Sequence, residues 1–387
     1  MRTGDQTYIK ELNTSIVLNL LRTHATISRT EIAKKSGLNK ATITSIIDDL
    51  LKASLVEEVG TGHSSVGRRP VLLHFHADAG VVIGCEIGIG EVRAVMTNLS
   101  GDVLGRWHEF TKDDRPETHM LWIERIVSHA QNHANLTPLG LLGVGVGVPG
   151  LVNYKKGTVL NAPNLRWEHI DFAAMLQERL VTPVYVDNEA NAAALGETLV
   201  NPEESMDQET LVYVSVGNGI GAGLIMNNRV LRGAEGLSGE IGHMMIEENG
   251  RLCSCGSYGC LEMYASVRRL LQAYESRVSQ RVTVEKYVQR LEEQDPVALQ
   301  VLEEMGHYLG IGVANIINMY NPSYVILGNQ VTQFGVVFLE IVRKTIRQRC
   351  FVGSYSSVDL RFSKLGEDSC AIGAANLVLR RFFARPT

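Results

Sequence analysis

The sequence predicts an α/β protein in two parts, a winged helix-turn-helix head and a body of two lobes. Three observations predict it. The first 78 residues read as three helices and a basic hairpin; from Gly80 onward, short β-rich runs alternate with longer helical patterns; and a strand, glycine turn and hairpin recur once in each half of that body. A chain of 387 residues has room for two or three folding units.

The head is legible from its breaks. Segment 12–23, LNTSIVLNLLRT, sets Leu12, Ile16, Val17, Leu20 and Leu21 at helical spacing. Ser28-Arg29-Thr30-Glu31 fits a capping box, a hydroxyl that accepts a backbone N–H with a glutamate three residues on. It opens a helix to about Ser36 that buries Ile32 and Ala33, and Gly37 can then take the positive φ of a tight turn. A third helix, 40–53, carries Ile43, Ile46, Ile47, Leu50 and Leu51 on one stripe. Two short helices about a glycine turn make the helix-turn-helix unit. Its second helix offers Asn39, Lys40, Thr42 and Thr44 to phosphates and base edges, and Ser28 and Arg29 open the first helix as further candidate contacts. The runs LVEEVG and RRPVLLHF flank TGHSSVG as a hairpin wing, whose Arg68 and Arg69 can reach phosphate or a narrow minor groove. A protein-binding helical bundle is the alternative, and the order helix, turn, helix, basic wing disfavours it.

Charge supports this division modestly. The net charge is −5, but residues 1–78 hold ten Lys/Arg against eight Asp/Glu, and the other 309 hold 27 against 34. No run approaches the 18 or more apolar residues of a membrane span, and MRTGDQTYIK lacks a signal peptide's apolar core. The expected location is the cytoplasm.

In the body, strands are expected at VVIGCEIG, EVRAVMTN, LGVGVGVPG, TPVYVDN, TLVYVSVG, GAGLIMN and SYVILGN, and helices at 117–134, 170–180, 189–200, 262–277, 296–320 and 369–383. Asn321-Pro322 ends the long apolar helix before the next strand. The repeated texture, VVIGCEIGIGEVRAVMTNLSGDVL and TLVYVSVGNGIGAGLIMNNRVL, predicts related lobes with a cleft between them, since such turns can cradle phosphate. The lobes are expected at 79–188 and 189–369, with the helix in 370–387 packing back on the first. The second lobe is expected to carry the metal site and a dimerisation surface.

The sharpest chemistry lies in GEIGHMMIEENGRLCSCGSYGCLE. His243, Cys253, Cys255 and Cys260 supply one imidazole and three thiolates, the tetrahedral set of structural zinc. Gly256 and Gly259 let the chain fold sharply enough for the sulfurs to converge, and four protein ligands leave no position for catalysis. Cys85, Cys350 and Cys370 are expected as buried thiols.

From Gly80 to the end the chain resembles the ROK family of repressors, open reading frames and sugar kinases. With GLNKATITS, GRRP and VDNEANAAALGE it resembles the repressor branch, and within it the repressors of xylose operons. The resemblance implies two actin-like lobes of the sugar kinase/RNase H type with a sugar in the cleft. It places Asn164 of APNLRW near the sugar, Asn188 and Glu189 at the sugar-binding Asn and catalytic-base Asp positions, and Glu240, His243 and Glu262 among the sugar contacts. It implies a monosaccharide inducer, D-xylose first and glucose as the other candidate, and an inverted-repeat operator. Because helix-turn-helix proteins read two half-sites about one helical turn or a multiple apart, a homodimer is expected, with a tetramer as the larger assembly.

Departures from the family's kinase pattern argue for a sensor without catalysis. In Glu86-Ile87-Gly88-Ile89-Gly90-Glu91 an acid stands where kinases carry a hydroxyl beside the phosphates, a repulsion of about 4 kcal/mol at 4 Å for an effective ε of 20. Asn218 replaces Thr in the second loop, Gly328-Asn329 replaces Gly-Gly, and Glu189 replaces the base Asp with a longer side chain. The alternative is an ATP-dependent sugar kinase with an added DNA-binding domain.

Overall fold

The computed structural model describes residues 6–61, 69–200, 209–351, 353 and 355–383. The head holds α1 (Gln6–Thr23), β1 (Ile27–Ser28), α2 (Arg29–Ser36), α3 (Lys40–Lys52), β2 (Val56–Thr61) and β3 (Val71–Phe75). Ser28 closes the expected capping box with Glu31, and Gly37 ends α2 at φ 72°. Strand β3 pairs antiparallel with both β2 and β1, so the wing hairpin is present, and Arg68 in its turn lies outside the described residues.

The first lobe comprises β4 (Val81–Gly88), β5 (Glu91–Asn98), β6 (Val103–Phe110), α4 (Pro116–Ala134), β7 (Leu141–Val148), β8 (Leu151–Asn153), β9 (Thr158–Ala162), β10 (Trp167–Ile170), α5 (Phe172–Gln177) and β11 (Val184–Asn188). The second comprises α6 (Glu189–Val200), β12 (Thr210–Val216), β13 (Ile220–Met226), β14 (Arg229–Val230), α7 (Glu262–Ala265), α8 (Val267–Val278), α9 (Val284–Glu292), α10 (Pro296–Tyr320), β15 (Tyr324–Gly328), α11 (Gly335–Arg349) and β16 (Asp359–Phe362). The terminal helix α12 (Ser369–Phe382) follows.

Each lobe is centred on a five-stranded sheet, in order β6-β5-β4-β7-β11 and β14-β13-β12-β15-β16. In both, the first strand pairs antiparallel with the hairpin strand after it and parallel with the crossover strand on its other side. The repeated texture therefore reflects two lobes of one topology.

Helix α12 packs against the sheet of the first lobe more closely than side chains usually allow. A Cβ at Gly84 of β4 or Gly145 of β7 would lie 1.9 Å from a carbonyl oxygen of α12, and one at Gly373 would lie 1.6 Å from Ala192 O of α6. Backbone thus meets backbone where α12 crosses the sheet and α6. Ala371, Ile372, Ala375, Val378 and Leu379 of α12 also continue the head's apolar cluster of Val17, Leu21, Ile47, Leu73 and Phe75. One helix therefore touches head, first lobe and second lobe.

The helix expected over 262–277 is two helices. Ser266, fully buried and extended at φ −80°, ψ 150°, ends α7 and caps α8 by accepting from Arg269 N. Cys85 and Cys370 are buried as expected; Cys350 is only half-buried. No helix among the described residues is long and apolar enough to cross a membrane.

Candidate metal and ligand site

His243 ends a short 3-10 turn, Ile241–His243, and the three cysteines follow on a loop tied by the bridges Met245 to Cys260 and Leu252 to Tyr258. Cys253 N donates to Ser257 O and Gly256 N to Cys253 O, which folds the loop on itself. Gly259, at φ 73°, sits where a Cβ would lie 1.7 Å from Glu247 O, so no other residue fits there without moving the chain. The four donor atoms lie within 4.8 Å of one another, with Cys255 Sγ 3.6 Å from Cys260 Sγ and Cys253 Sγ 3.6 Å from His243 Nδ1. A tetrahedron with Zn–S bonds of about 2.3 Å has S···S edges of about 3.8 Å. The donor set and spacing fit a metal of that kind.

The cluster is joined to a group of carboxylates. Glu262, at the start of α7 and 8% exposed, accepts from Cys253 Sγ at 3.3 Å. Glu240 Oε2 stands 3.9 Å from His243 Nε2. Burial first, then the charge of Glu262, raises the Glu240 carboxyl against the opposing pull of His243. Glu189 opens α6, and burial followed by Glu240's charge pushes it up to about 7. Glu189, Glu240, His243 and Glu262 thus lie within reach of one another's charges or hydrogen bonds. Carboxylates and an imidazole, which between them accept and donate hydrogen bonds, suit a ligand rich in hydroxyls.

Asn188 and Asn164 are placed differently. The Asn188 amide is bonded within the protein: its oxygen accepts from Ala190 N and Asn191 N, and one hydrogen of its nitrogen goes to Gly150 O at 2.9 Å. It fixes the start of α6, and so Glu189, from within. Asn164 is exposed in the turn between β9 and β10.

Two supporting residues escaped the sequence reading. Asp187, 2% exposed at the end of β11, is paired with Arg232. Asp114 accepts from Gly90 N at 2.7 Å through its side chain and from Trp167 Nε1 at 2.6 Å through its carbonyl, pinning the first glycine turn. Asp187 adjoins Asn188 in VDNEA, a usable signal; Asp114 lies in a loop with none.

Beside the two glycine turns, side chains from both lobes come together. Glu86, Glu189, Ser215, Asn329, Glu367 and Cys370 line a cavity of about 10 Å³, roughly one water. Asn329 lies over Gly217 and donates to Ser215 Oγ at 3.1 Å. Arg93 of β5 pairs with Glu367, which also accepts from Gln333 at 3.1 Å. The side chain of Glu91 folds back over Gly88 and accepts from His108 at 2.6 Å. Burial, then the charge of Glu189, pushes Glu86 up to about 8.

On the head, Lys40, Thr44 and Arg69 are exposed and Thr42 is half-buried. Asn39 and Ser28 are spent as helix caps, Asn39 Oδ1 accepting from Thr42 N at 2.8 Å. Arg29 is paired with Glu58 at 3.0 Å and Asp48 at 3.4 Å.

This geometry defines a class: a winged helix-turn-helix joined to a body with the two-lobed fold of sugar kinases. The ROK family pattern matches residues 82–381 and the MarR family pattern residues 15–58. The chain belongs to the ROK family. It is 37% identical to a xylose repressor of Caldicellulosiruptor bescii, over 99% of each chain. The crystal structure of a ROK family transcriptional regulator, a homologue of the Escherichia coli MLC protein, superposes with a TM-score of 0.84 at 26% identity over 97% of each chain. A ROK family glucokinase from Streptomyces griseus, in complex with glucose and AMPPNP, superposes with a TM-score of 0.68 at 28% identity. It covers 77% of this chain and 99% of its own.

Proposed function

We propose that this chain is a sugar-responsive transcriptional repressor of the cytoplasm, that D-xylose releases it from operator DNA, and that it does not transfer phosphate. The observation that carries this reading is the contrast within one cleft. Carboxylates and an imidazole converge on the metal-loop side, while on the glycine-turn side Glu86, Glu367 and Asn329 line a small cavity of about 10 Å³. A kinase must hold nucleotide phosphates on that side, where the Glu86 and Glu367 carboxylates would repel them. The choice of xylose over glucose follows the named relative.

Zinc held by His243, Cys253, Cys255 and Cys260 would brace the loop that presents Glu240 and Glu262. In this reading, sugar contacts Glu189, Glu240, His243 and Glu262, with Asn164 joining from the β9–β10 turn when the lobes close. Moving a two-state equilibrium from 1:99 to 99:1 takes a differential affinity of about 5.5 kcal/mol. Two to four hydrogen bonds to charged groups, at about 1.5–3 kcal/mol each, cover that range. Lobe movement reaches the head through α12, which touches both lobes and the head's core. A homodimer, or a tetramer built from it, would set two heads on an inverted repeat. The exposed Met319, Val336 and Val337 of the second lobe offer it an apolar surface. Lys40, Thr42, Thr44, Arg68 and Arg69 are then the direct DNA contacts, and Ser28, Arg29 and Asn39 hold their helices in place.

The test is operator binding by fluorescence anisotropy with xylose, glucose or neither, beside an ADP-release assay with ATP, Mg²⁺ and the same sugars. The expected result is a drop in operator affinity of tenfold or more with xylose and no ADP release above buffer. Turnover on the order of 1 s⁻¹ would make the chain a kinase instead.

A further inference from the structure

Where the head meets the body, α1, the end of α6, the β13–β14 turn and α12 enclose an open cavity of about 250 Å³. Its polar wall is Asn19 and Arg22 of α1, Thr198 of α6, Asn228 of the turn, and Asn376 and Arg380 of α12. None of its lining residues belongs to the metal loop, and it joins the DNA-reading part to the helix that crosses both lobes.

Its two arginines have no acidic partner among the described residues. Arg22 stacks on Phe383, 4.4 Å from the ring centre, and lies 6.0 Å from that of Phe75. Arg380 donates only to neutral oxygens: Asn228 O at 2.7 Å, Asn228 Oδ1 at 2.6 Å and Thr198 Oγ1 at 3.3 Å. A third guanidinium nearby, Arg232, is already matched by Asp187. Burial lowers the pKa of both Arg22 and Arg380, and for Arg380 the charges of Arg232 and Arg22 add to it, bringing it to about 10. Two half-buried like charges at one cavity raise each other's energy, and the reduced dielectric away from bulk water enlarges the effect. An anion between them removes the repulsion and uses guanidinium forks shaped for oxyanions.

We propose that this cavity binds a small oxyanion, phosphate or the phosphate group of a small phosphate monoester, between Arg22 of the head and Arg380 of the body. The anion ties α1 to α12 and so holds the head in its seated position. The site stands whether or not the cleft between the lobes binds sugar. By linkage, whatever changes the seating of the head changes affinity for the anion by the same factor.

The test uses the full-length, metal-loaded protein. Thermal unfolding is followed against inorganic phosphate, glycerol 3-phosphate and sodium chloride at matched ionic strength. The expected result is a saturable rise in unfolding temperature with phosphate that chloride does not reproduce. Tighter saturation by glycerol 3-phosphate assigns the site to a phosphorylated metabolite; equal or weaker saturation assigns it to inorganic phosphate. Arg22→Met keeps an unbranched stem against Phe75 and Phe383, and Arg380→Gln keeps donors toward Asn228. Each is expected to weaken phosphate at least tenfold with metal content and circular dichroism unchanged. Arg380→Lys, which retains the charge, is expected to keep part of the affinity and serves if Arg380→Gln does not fold. Coincident phosphate and chloride curves for the wild type would overturn the proposal. So would a phosphate response that survives both Arg22→Met and Arg380→Gln, because it would then arise elsewhere.

Discussion

The metal-loop side and the glycine-turn side of the cleft share Glu189, yet they are built differently. On the first, Glu240, His243 and Glu262 converge from a braced loop, and Glu240 and His243 remain partly exposed. On the second, Glu91 folds over Gly88, Asn329 over Gly217, and the Arg93–Glu367 pair reaches from the first lobe to the segment leading into α12. The two glycine turns are thus crowded by side chains, while the metal-loop side presents carboxylates and an imidazole.

The largest effect should come from the brace. Cys253→Ser with Cys260→Ser removes two of four metal donors, and structural zinc is worth on the order of 10 kcal/mol in small domains. The expected outcome is loss of bound metal by elemental analysis and loss of the xylose response, with a lowered unfolding temperature. Stoichiometric metal in the double variant would break the assignment of the site.

Next is the head, which should be separable from the cleft. Arg68→Ala with Arg69→Ala is expected to weaken operator binding tenfold or more at low salt. The slope of log K against log salt should flatten by about 0.9 for each phosphate the wing no longer neutralises, and xylose affinity should not change. An unaltered slope would mean that the wing neutralises no phosphate.

Glu86→Gln sharpens the contrast within the cleft. Glu86 is held at about 8 and Glu189 at about 7, both above an unfolded value near 4.3. Each raised carboxyl contributes stability that is fully present below about pH 4.3 and is lost as pH rises through its folded value. Wild-type stability should therefore fall between pH 5 and 8, and Glu86→Gln should flatten the fall. The variant should unfold about 3 °C or more above wild type at pH 8 and close to it at pH 5. Parallel pH profiles would show that Glu86 is ionised without penalty.

The smallest effect is at a cap. Asn39→Ala should cost about 1 kcal/mol of stability by freeing Thr42 N. Operator affinity should fall in proportion to the loss of folded head; a much larger fall at full folding would make Asn39 a direct base contact.

Local signals were legible in the sequence: the Ser28–Glu31 box, the left-handed Gly37, the long helix ended by Asn321, and the Cys/His cluster with its glycines. Pairings across long separations were not. Gly84 and Gly145 read as strand glycines, and only the structure shows that they clear the backbone of α12. Asn188 reads as a ligand contact, and only the structure shows that its amide also caps α6 and reaches Gly150. Ser266 interrupts a well-patterned helix because its hydroxyl caps the next one, a local choice that periodicity does not register. The Asp187–Arg232 and Arg22–Arg380 relationships span 45 and more positions, beyond any spacing rule.

If cleft and head share one equilibrium, calorimetric titration of D-xylose into the metal-loaded protein, free and saturated with operator DNA, shows it most directly. Operator is expected to weaken xylose binding by the same factor by which xylose weakens operator binding, tenfold or more. Equal xylose affinity in the two titrations would contradict the shared equilibrium.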